Sequence, residues 1–173
     1  TPEEDNRLKD ELINSKKDQA ELLMIVDLER NDLSRVCKIN SVRVPELFAL
    51  ETYATVYHLV STVEGTLLPN KNISDVLKAS FPGGSITGCP KIRAMEIIEE
   101  LEPTKRSVYT GSIGYIGFDG NSDLNIVIRT FLLKNNNAFF QVGGAIVTDS
   151  DPESEYQETL DKAKALINAL GIK

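Results

Sequence analysis

The sequence contains few cysteines, a single histidine and no long apolar run. Its 173 residues include two cysteines, Cys37 and Cys89, and one histidine, His58. The cysteines lie far apart and neither forms a Cys-x-x-Cys pair, so we expect free thiols in the reducing environment of the cytoplasm. No apolar run reaches the length that a membrane-spanning helix needs, so we expect no membrane partner.

Basic residues are outnumbered by acidic ones, which gives the chain a formal net charge of −7. We expect no nucleic-acid partner, because phosphate binding requires a basic face. The negative charge does not exclude a small anionic substrate, since a metal ion and a few cationic side chains at the site make the local electrostatic potential positive. Two nucleotide-binding motifs are also absent: Gly83, Gly84 and Gly88 lack Gly-x-Gly-x-x-Gly spacing, and the segment from Gly84 to Lys91 is not a P-loop.

Helix-capping patterns occur at three places in the chain. Thr1 and Asp151 are each predicted to cap a helix, and proline follows directly after both. For the second helix, Ser15 and Asp18 are both candidate caps. The first helix is predicted to end near Asn14 and the last before Gly171.

The remaining segments predict two further helices and several strands. The helices are predicted over residues 73–79 and 90–101. The strands are predicted over residues 41–44, 47–53, 55–67, 108–118, 124–133 and 139–147, with turns at residues 119–121 and 135–137. Helices grouped between two β regions predict an α+β fold in which antiparallel sheets have flanking helices.

Carboxylates at helical spacing occur on two of the predicted helices. Asp18 and Glu21 are three residues apart, as are Glu155 and Glu158, with Lys162 four residues further on. This spacing places each pair on one helix face, and two such faces are one way to build an oxygen-ligand Mg²⁺ site. The alternative is a solvated face on which Glu158 and Lys162 form an exposed ion pair.

One arginine falls in the middle of a predicted strand. Alternation over residues 124–133 places Arg129 on the same side as Val127 and Phe131. A guanidinium among apolar neighbours is costly unless it meets an anion. That anion is either an internal Asp or Glu, or the carboxylate of a ligand, which a guanidinium binds through two hydrogen bonds.

His58 and the Gly143-Gly144 pair are weaker candidates. A lone histidine in a strand-like segment is more often a core or surface residue than a catalytic one, and no nucleophile elbow accompanies it. The glycine pair predicts either a bulge or turn, or a close approach of backbone N–H groups to a ligand. The acidic run over residues 27–32 is interpreted as helix capping and ion pairing.

The most specific segment is a turn rich in glycine and proline that runs into a predicted helix. It reads Phe81-Pro-Gly-Gly-Ser-Ile-Thr-Gly-Cys-Pro-Lys-Ile-Arg-Ala-Met-Glu96. Backbone N–H groups at such a turn point outward and suit an anion. With further motifs it resembles the C-terminal part of the chorismate-utilising enzymes over nearly the whole chain. Those motifs span residues 21–32, 57–61, 109–115, 128–130 and 149–162.

That family includes anthranilate, aminodeoxychorismate, isochorismate and salicylate synthases. The segment Phe81-Pro-Gly-Gly-Ser-Ile-Thr-Gly88 is most similar to the aminodeoxychorismate branch. The resemblance implies amination of chorismate to 4-amino-4-deoxychorismate for p-aminobenzoate and folate synthesis, with ammonia from a glutamine amidotransferase subunit. One alternative is the anthranilate branch of tryptophan synthesis. An alternative of another class is a non-catalytic acidic interaction module.

The resemblance also implies a Mg²⁺ cofactor that holds the ring carboxylate of chorismate. Glu21 and Glu158 match the metal ligands of the family. Asp18 and Glu155 match the acidic residues that hold metal-bound water. Lys162 matches a lysine near the ring carboxylate.

Groups that bind the rest of the substrate are implied in the same way. Tyr109 and Arg129, with backbone N–H groups near Gly143-Gly144, match the groups that take the enolpyruvyl carboxylate. His58 and Ser85 match residues that line the ring near the departing hydroxyl, and we expect them to serve catalysis.

The sequence departs from the family pattern in three respects. Gly143-Gly144-Ala145 stands where members often have Gly-x-Gly, and Cys89 replaces the usual Ala. Members are also more than twice this length, and their N-terminal part supplies a general-acid Glu and a Pro-Ile-x-Gly-Thr motif. We therefore expect residues 1–173 to be the C-terminal portion of a chorismate-binding domain, with little activity alone.

Overall fold

A computed structural model describes residues 1–53, 56–148 and 150–171 of the chain. The chain divides into two compact units, Thr1–Ile98 and Glu99–Lys173. The first unit contains α1 (Pro2–Asn14), α2 (Lys16–Ser34), β1 (Arg43–Thr52), β2 (Tyr57–Glu64), α3 (Ile73–Ser80) and most of α4 (Lys91–Leu101). The second unit contains β3 (Gly114–Ile116), β4 (Ser122–Leu124), β5 (Leu132–Lys134), β6 (Asn137–Phe139) and α5 (Pro152–Ala169). Within these ranges no helix is both long and apolar enough to cross a membrane.

The first two helices begin where the capping patterns predict. The Thr1 hydroxyl accepts a hydrogen bond from the Glu4 N–H at 3.3 Å, and the Ser15 hydroxyl accepts one from the Asp18 N–H at 3.2 Å. The predicted end of α1 at Asn14 is also confirmed. α2 contacts α3 and both strands of the first unit. Its buried residues Val26 and Leu28 contribute to the core of that unit.

One antiparallel hairpin, β1 with β2, forms the sheet of the first unit. β1 joins the predicted strands 41–44 and 47–53 into one, with an irregular register between Arg43 and Ala49. Pro45 lacks an N–H for the ladder, and Phe48 has a φ of 58° and donates its N–H to the Ser61 hydroxyl at 3.1 Å. Residues 54 and 55, where the third predicted strand begins, lie outside the described residues.

The helices predicted over residues 73–79 and 90–101 are confirmed as α3 and α4. Asn72 caps α3 by accepting from the Ser74 N–H at 2.9 Å, while Asp75 accepts from the Asn72 N–H at 3.0 Å. This reciprocal arrangement is a capping box. A short 3₁₀ turn, Gly84–Ile86, lies between the two helices.

The strands of the second unit are shorter than the sequence pattern predicts. The strand predicted over residues 124–133 is wrong, because β4 ends at Leu124 and β5 begins at Leu132. The strands predicted over residues 108–118 and 139–147 are likewise reduced to β3 and β6. Backbone pairing nevertheless continues beyond the β3–β4 hairpin. The Asn125 N–H donates to the Ile113 carbonyl at 2.9 Å, and the Val127 N–H donates to the Gly111 carbonyl at 2.9 Å.

Two residues in the left-handed region explain the interruption. Thr110 has a φ of 62° and Arg129 has a φ of 51°. This conformation is uncommon for non-glycine residues, especially β-branched ones, and it ends the alternation of side chains along a strand. Val127 is therefore buried, whereas Arg129 is exposed rather than enclosed by the apolar neighbours that alternation assigns to it.

The last helix, α5, is confirmed at both ends. The Asp151 carboxylate caps it by accepting from the Ser154 N–H at 2.9 Å, and Pro152 is its first residue. The helix ends at Ala169, before Gly171, which has a φ of 68°. The buried residues of α5 are Glu155, Ala163 and Leu166, and helical geometry places all three on one side of the helix.

Candidate functional site

Both carboxylates and the lysine predicted on α5 lie on one face of that helix. Lys162 forms an ion pair with Glu158, one turn before it. Glu155 is buried, and its Oε1 accepts a hydrogen bond from the Ser150 hydroxyl at 2.6 Å. The Ser150 hydroxyl in turn accepts from the Val147 N–H at 3.1 Å. Ser150 was not predicted, and the only signal for it is its place beside the capping residue Asp151.

The Gly143-Gly144 segment lies directly against this face. Lys162 donates from Nζ to the Gly143 carbonyl at 3.2 Å. A Cβ placed on Gly144 would lie 3.3 Å from Glu155 Oε2 and 3.7 Å from Glu158 Oε1. The first distance is tighter than ordinary van der Waals contact. The glycine is therefore explained by close approach of the backbone to charged side chains, and neither glycine of the pair has a positive φ.

Tyr109 reaches the other end of the same segment. A Cβ placed on Gly143 would lie 3.2 Å from the Tyr109 hydroxyl oxygen. Burial raises the pKa of the Tyr109 phenol, while the positive charges of Arg106 and Arg129 act in the opposite direction. Tyr109 is therefore a neutral phenol near pH 7, able to donate a hydrogen bond to a carboxylate.

Arg129 is linked to Tyr109 by backbone pairing. The Thr110 N–H donates to the Val127 carbonyl at 2.8 Å, which ties the turn after Tyr109 to the residues just before Arg129. Arg129 is exposed, and no carboxylate in the described part of the chain forms an ion pair with it. Of the two anions considered for this guanidinium, the internal one is therefore not observed.

A second arginine near Tyr109 was not predicted. Arg106 donates to the Glu102 carboxylate from Nε at 2.9 Å and from Nη2 at 2.7 Å. These hydrogen bonds raise the pKa of the Arg106 guanidinium. Arg106 also donates to the Thr110 hydroxyl at 3.4 Å, so it braces the turn that carries Tyr109. The four-residue spacing of Glu102 and Arg106 was a signal, but Pro103 between them argues against a helix.

In the first unit, Asp18 and Glu21 lie in the first turns of α2, at the spacing that shares one face. Lys17 pairs with Glu21 at an Nζ–Oε1 distance of 3.7 Å, and the Glu21 side chain is 18% exposed. The Ser15 cap fixes the backbone of this turn through the Asp18 N–H. These two acidic residues are therefore held on a well-defined end of α2.

The glycine-rich turn carries Ser85 at its surface. Ser85 is exposed within the 3₁₀ turn, whereas its neighbour Gly84 is buried. The Gly84 N–H donates to Glu29 Oε1 of α2 at 2.8 Å. The turn was expected to suit an anion, and at Gly84 that anion is an internal carboxylate.

Lys91, at the end of this turn, is also held from within the unit. Its ammonium forms an ion pair with Asp32, which is 2% exposed. It also donates to the Ser80 carbonyl at 3.1 Å and to the Pro82 carbonyl at 2.7 Å. The interpretation of residues 27–32 as a segment of ion pairing agrees with these contacts.

His58 occupies an exposed position on β2. It lies opposite Glu51 of β1 in the strand register. Its ring meets the Tyr53 ring edge-on, with 5.6 Å between centroids and 78° between ring planes. The sequence indicated a core or surface residue rather than a catalytic one, and the structure places His58 at the surface.

The predicted site residues thus form two sets. In the second unit one contiguous surface joins Tyr109, Gly143, Gly144, Glu155, Glu158 and Lys162. In the first unit the candidates lie on separate elements, namely Asp18 and Glu21 on α2, His58 on β2 and Ser85 in the 3₁₀ turn. Across the described ranges no group of three or more His, Cys, Asp or Glu side chains could hold a metal ion. The carboxylate oxygens are nevertheless the donors that Mg²⁺ prefers.

A cavity of about 320 Å³ opens beside the start of α5. Its polar lining includes Ser150 and Glu155, and Gly144 forms part of its wall. The remaining lining is largely apolar and consists of Ile146, Pro152, Tyr156 and Thr159. The cavity is therefore continuous with the acidic face of α5.

Comparisons with known proteins agree on one family. A family model described as chorismate binding enzyme matches residues 1–168. Aminodeoxychorismate synthase component 1 of Escherichia coli (strain K12) is 54% identical over 169 residues, which cover 98% of this chain and 37% of that protein. Anthranilate synthase component 1 of Aquifex aeolicus (strain VF5) is 51% identical over 172 residues, which cover 99% of this chain and 35% of that protein.

A solved structure gives the same result for the fold. Anthranilate synthase component I from Streptococcus pneumoniae TIGR4 matches with a TM-score of 0.85 and 49% identity, over 94% of this chain and 37% of that one. The predicted α+β class with antiparallel sheets is confirmed. The chain spans between 35% and 37% of the length of these three relatives.

Proposed function

Because the chain belongs to the chorismate-binding enzyme family, we propose that it forms part of the active site of an aminodeoxychorismate synthase component 1. The whole enzyme replaces the C4 hydroxyl of chorismate with an amino group and yields 4-amino-4-deoxychorismate. Ammonia comes from a glutamine amidotransferase subunit. The similarity to the Escherichia coli protein and the sequence of residues 81–88 support the aminodeoxychorismate branch.

The contiguous surface of the second unit is the observation that carries the proposal. Chorismate has two carboxylates, and this surface together with Arg129, whose charge acts on Tyr109, offers separate groups for each. The neutral Tyr109 phenol and the exposed Arg129 guanidinium suit one carboxylate, because both donate hydrogen bonds. Lys162, which donates to the Gly143 carbonyl, suits the second carboxylate because it is a cation. Binding at two ends fixes the ring in one orientation.

Mg²⁺ is proposed to bind at the acidic end of this surface. Glu155 and Glu158 both lie near the Gly144 backbone. The resemblance to the family gives Glu21 and Asp18 of α2 the same roles, as metal ligand and as holder of metal-bound water. When bound, the ion holds the ring carboxylate and offsets the negative charge of the chain. Lys162 forms an ion pair with Glu158, so a cationic group already lies beside this proposed ligand.

Anthranilate synthesis is the second candidate, and it is supported by the 51% identity to the Aquifex aeolicus protein. The two reactions use the same site residues, but the anthranilate reaction adds the elimination of pyruvate. A non-catalytic acidic module is the third candidate. It requires an internal partner for Arg129, and no such ion pair exists among residues 1–53, 56–148 and 150–171.

Product analysis of the full-length enzyme tests the proposal. The enzyme is incubated with chorismate, Mg²⁺ and ammonium, with a Mg²⁺-free reaction as control. A non-fluorescent aminated product that a lyase converts to p-aminobenzoate supports the proposal. Fluorescent anthranilate with released pyruvate supports the second candidate and overturns the first. Absence of Mg²⁺-dependent chorismate binding in titration calorimetry supports the acidic module.

A further inference from the structure

The glycine-rich turn is fastened to α2 at a point next to Ser85. Glu29 accepts a hydrogen bond from the Gly84 N–H at 2.8 Å, across 55 residues of chain. A carboxylate that accepts from a backbone N–H makes a charge-assisted hydrogen bond, which is stronger than a neutral one. Gly84 is buried at this contact, whereas Ser85 is exposed. The bond therefore fixes the backbone that presents the Ser85 hydroxyl.

The contact leaves no room for a side chain at position 84. A Cβ placed there would lie 2.9 Å from Leu28 Cδ2 and 3.0 Å from Glu29 Oε1. The backbone of the turn is thus pressed against two successive residues of α2. The Glu29 side chain is therefore in direct contact with the backbone that precedes Ser85.

A second anchor closes the base of the turn. The Lys91 ammonium pairs with buried Asp32 and donates to the Ser80 and Pro82 carbonyls. Both anchors start from the C-terminal half of α2, so that helix holds the turn before and after Ser85. Within the turn, the Thr87 hydroxyl donates to the Gly83 carbonyl at 2.9 Å.

We propose that Glu29 is a positioning residue that sets the location of Ser85 through the Gly84 N–H. The inference rests on the proposed function, because it assumes that Ser85 lines the chorismate ring. Glu29 itself is engaged with the turn and does not contact substrate in this assignment. The ion pair of Lys91 with Asp32 holds the other side of the same turn in place.

Kinetics of the full-length enzyme test the assignment. Glu29→Leu removes the acceptor and is expected to lower kcat/KM for chorismate on the order of tenfold, since small misplacements of site groups are costly. Glu29→Gln keeps a side-chain oxygen and is expected to stay within about threefold of the parent. Asp27→Leu is the matched control, because Asp27 pairs with Arg30 at the surface of the same helix. Equal losses in Glu29→Gln and Glu29→Leu would overturn the assignment.

A double-mutant cycle with Ser85→Ala separates positioning from a general effect on the fold. If Glu29 acts through Ser85, adding Glu29→Leu to Ser85→Ala lowers kcat/KM by less than about twofold further. A full tenfold loss in that background would show that Glu29 acts elsewhere. Glu29→Asp keeps the charge but shortens the side chain, so it repeats the test if Glu29→Leu does not fold. Parent-like turnover in Glu29→Asp would contradict the assignment.

Hydrogen exchange at the Gly84 amide distinguishes this inference from the proposed function. The exchange is measured without chorismate, and we expect it to be faster in Glu29→Leu than in the parent and in Asp27→Leu. Faster exchange with no aminated product from the parent enzyme would support the contact and overturn the proposed function. Unchanged exchange in Glu29→Leu would overturn the inference whichever product is formed.

Discussion

At position 144, the absence of a side chain lets the backbone approach three charged groups. The carboxylates of Glu155 and Glu158 and the Lys162 ammonium all lie within 3.8 Å of the place where a Cβ would stand. At position 143 the nearest group is the Tyr109 hydroxyl, at 3.2 Å. A side chain at either glycine would thus meet a different set of groups on the proposed substrate surface.

Because the two glycines have different neighbours, we expect alanine substitutions at them to change different kinetic parameters of the full-length enzyme. Gly144→Ala crowds Glu155 and is expected to raise the Mg²⁺ concentration for half-maximal activity by about fivefold, which corresponds to about 1 kcal/mol, the lower end of the typical cost of overpacking. Gly143→Ala displaces the Tyr109 hydroxyl and is expected to raise the chorismate KM by a similar factor. Steady-state kinetics at varied Mg²⁺ and varied chorismate measure both effects. Identical changes in the two variants would contradict the separation.

The Tyr109 phenol gives a prediction about pH. Burial raises its pKa above the ordinary value of 10.0, so the folded protein holds the proton more tightly than the unfolded chain. The stability that Tyr109 contributes is therefore complete below pH 10 and is lost as the pH rises through the raised value.

Absorbance of tyrosinate in the parent and in Tyr109→Phe measures this titration. The difference in tyrosinate absorbance between the two proteins should appear only above the pH at which free tyrosine ionises. Arg106→Met removes a positive charge that opposes the shift and should move the difference to still higher pH. A difference that develops below about pH 10 would contradict the assignment of Tyr109 as a neutral donor.

At the scale of elements, the sequence predicted the features that depend on residues close together in the chain. The caps of α2 and α5 and the face shared by Glu155, Glu158 and Lys162 follow from spacings of three or four residues, and all are found. The strand over residues 124–133 was wrong because alternation does not reveal a left-handed residue such as Arg129. The contact of Glu29 with Gly84 joins residues 55 apart and has no local signal.

The anchor between α2 and α4 predicts a large loss of stability when it is broken. Lys91→Met leaves the Asp32 carboxylate buried without its cation, which costs about 3–5 kcal/mol of unfolding free energy. Lys91→Met with Asp32→Leu removes both charges and should recover most of that loss. It should stay about 1–2 kcal/mol below the parent, because the Ser80 and Pro82 carbonyls lose their donor.

Denaturant unfolding of the full-length protein measures these values. Arg93→Met is the control, since Arg93 pairs with Glu96 at the surface of the same helix and exposed pairs contribute about 0–1 kcal/mol. A Lys91→Met loss no larger than that of Arg93→Met would show that the buried pair does not anchor the turn.

At the scale of the whole molecule, the acidic residues are the dominant feature. The chain has 26 Asp and Glu against 19 Lys and Arg. Each compact unit contains one of the two carboxylate pairs proposed for the metal, Asp18 with Glu21 and Glu155 with Glu158. The proposed substrate is a dianion, and the proposed Mg²⁺ ion would offset its repulsion by these carboxylates more effectively than single lysines.

This argument predicts equal dependence on both pairs in the full-length enzyme. Glu21→Gln and Glu158→Gln each remove one proposed ligand while preserving size, and each is expected to abolish Mg²⁺-dependent turnover of chorismate. Glu153→Gln, at an exposed position in the first turn of α5, is the matched control and should leave turnover unchanged. Titration calorimetry with Mg²⁺ should show binding in Glu153→Gln and none in the other two variants. Retained turnover of Glu21→Gln at saturating Mg²⁺ would remove Glu21 from the proposed ligands, and the same result for Glu158→Gln would remove Glu158.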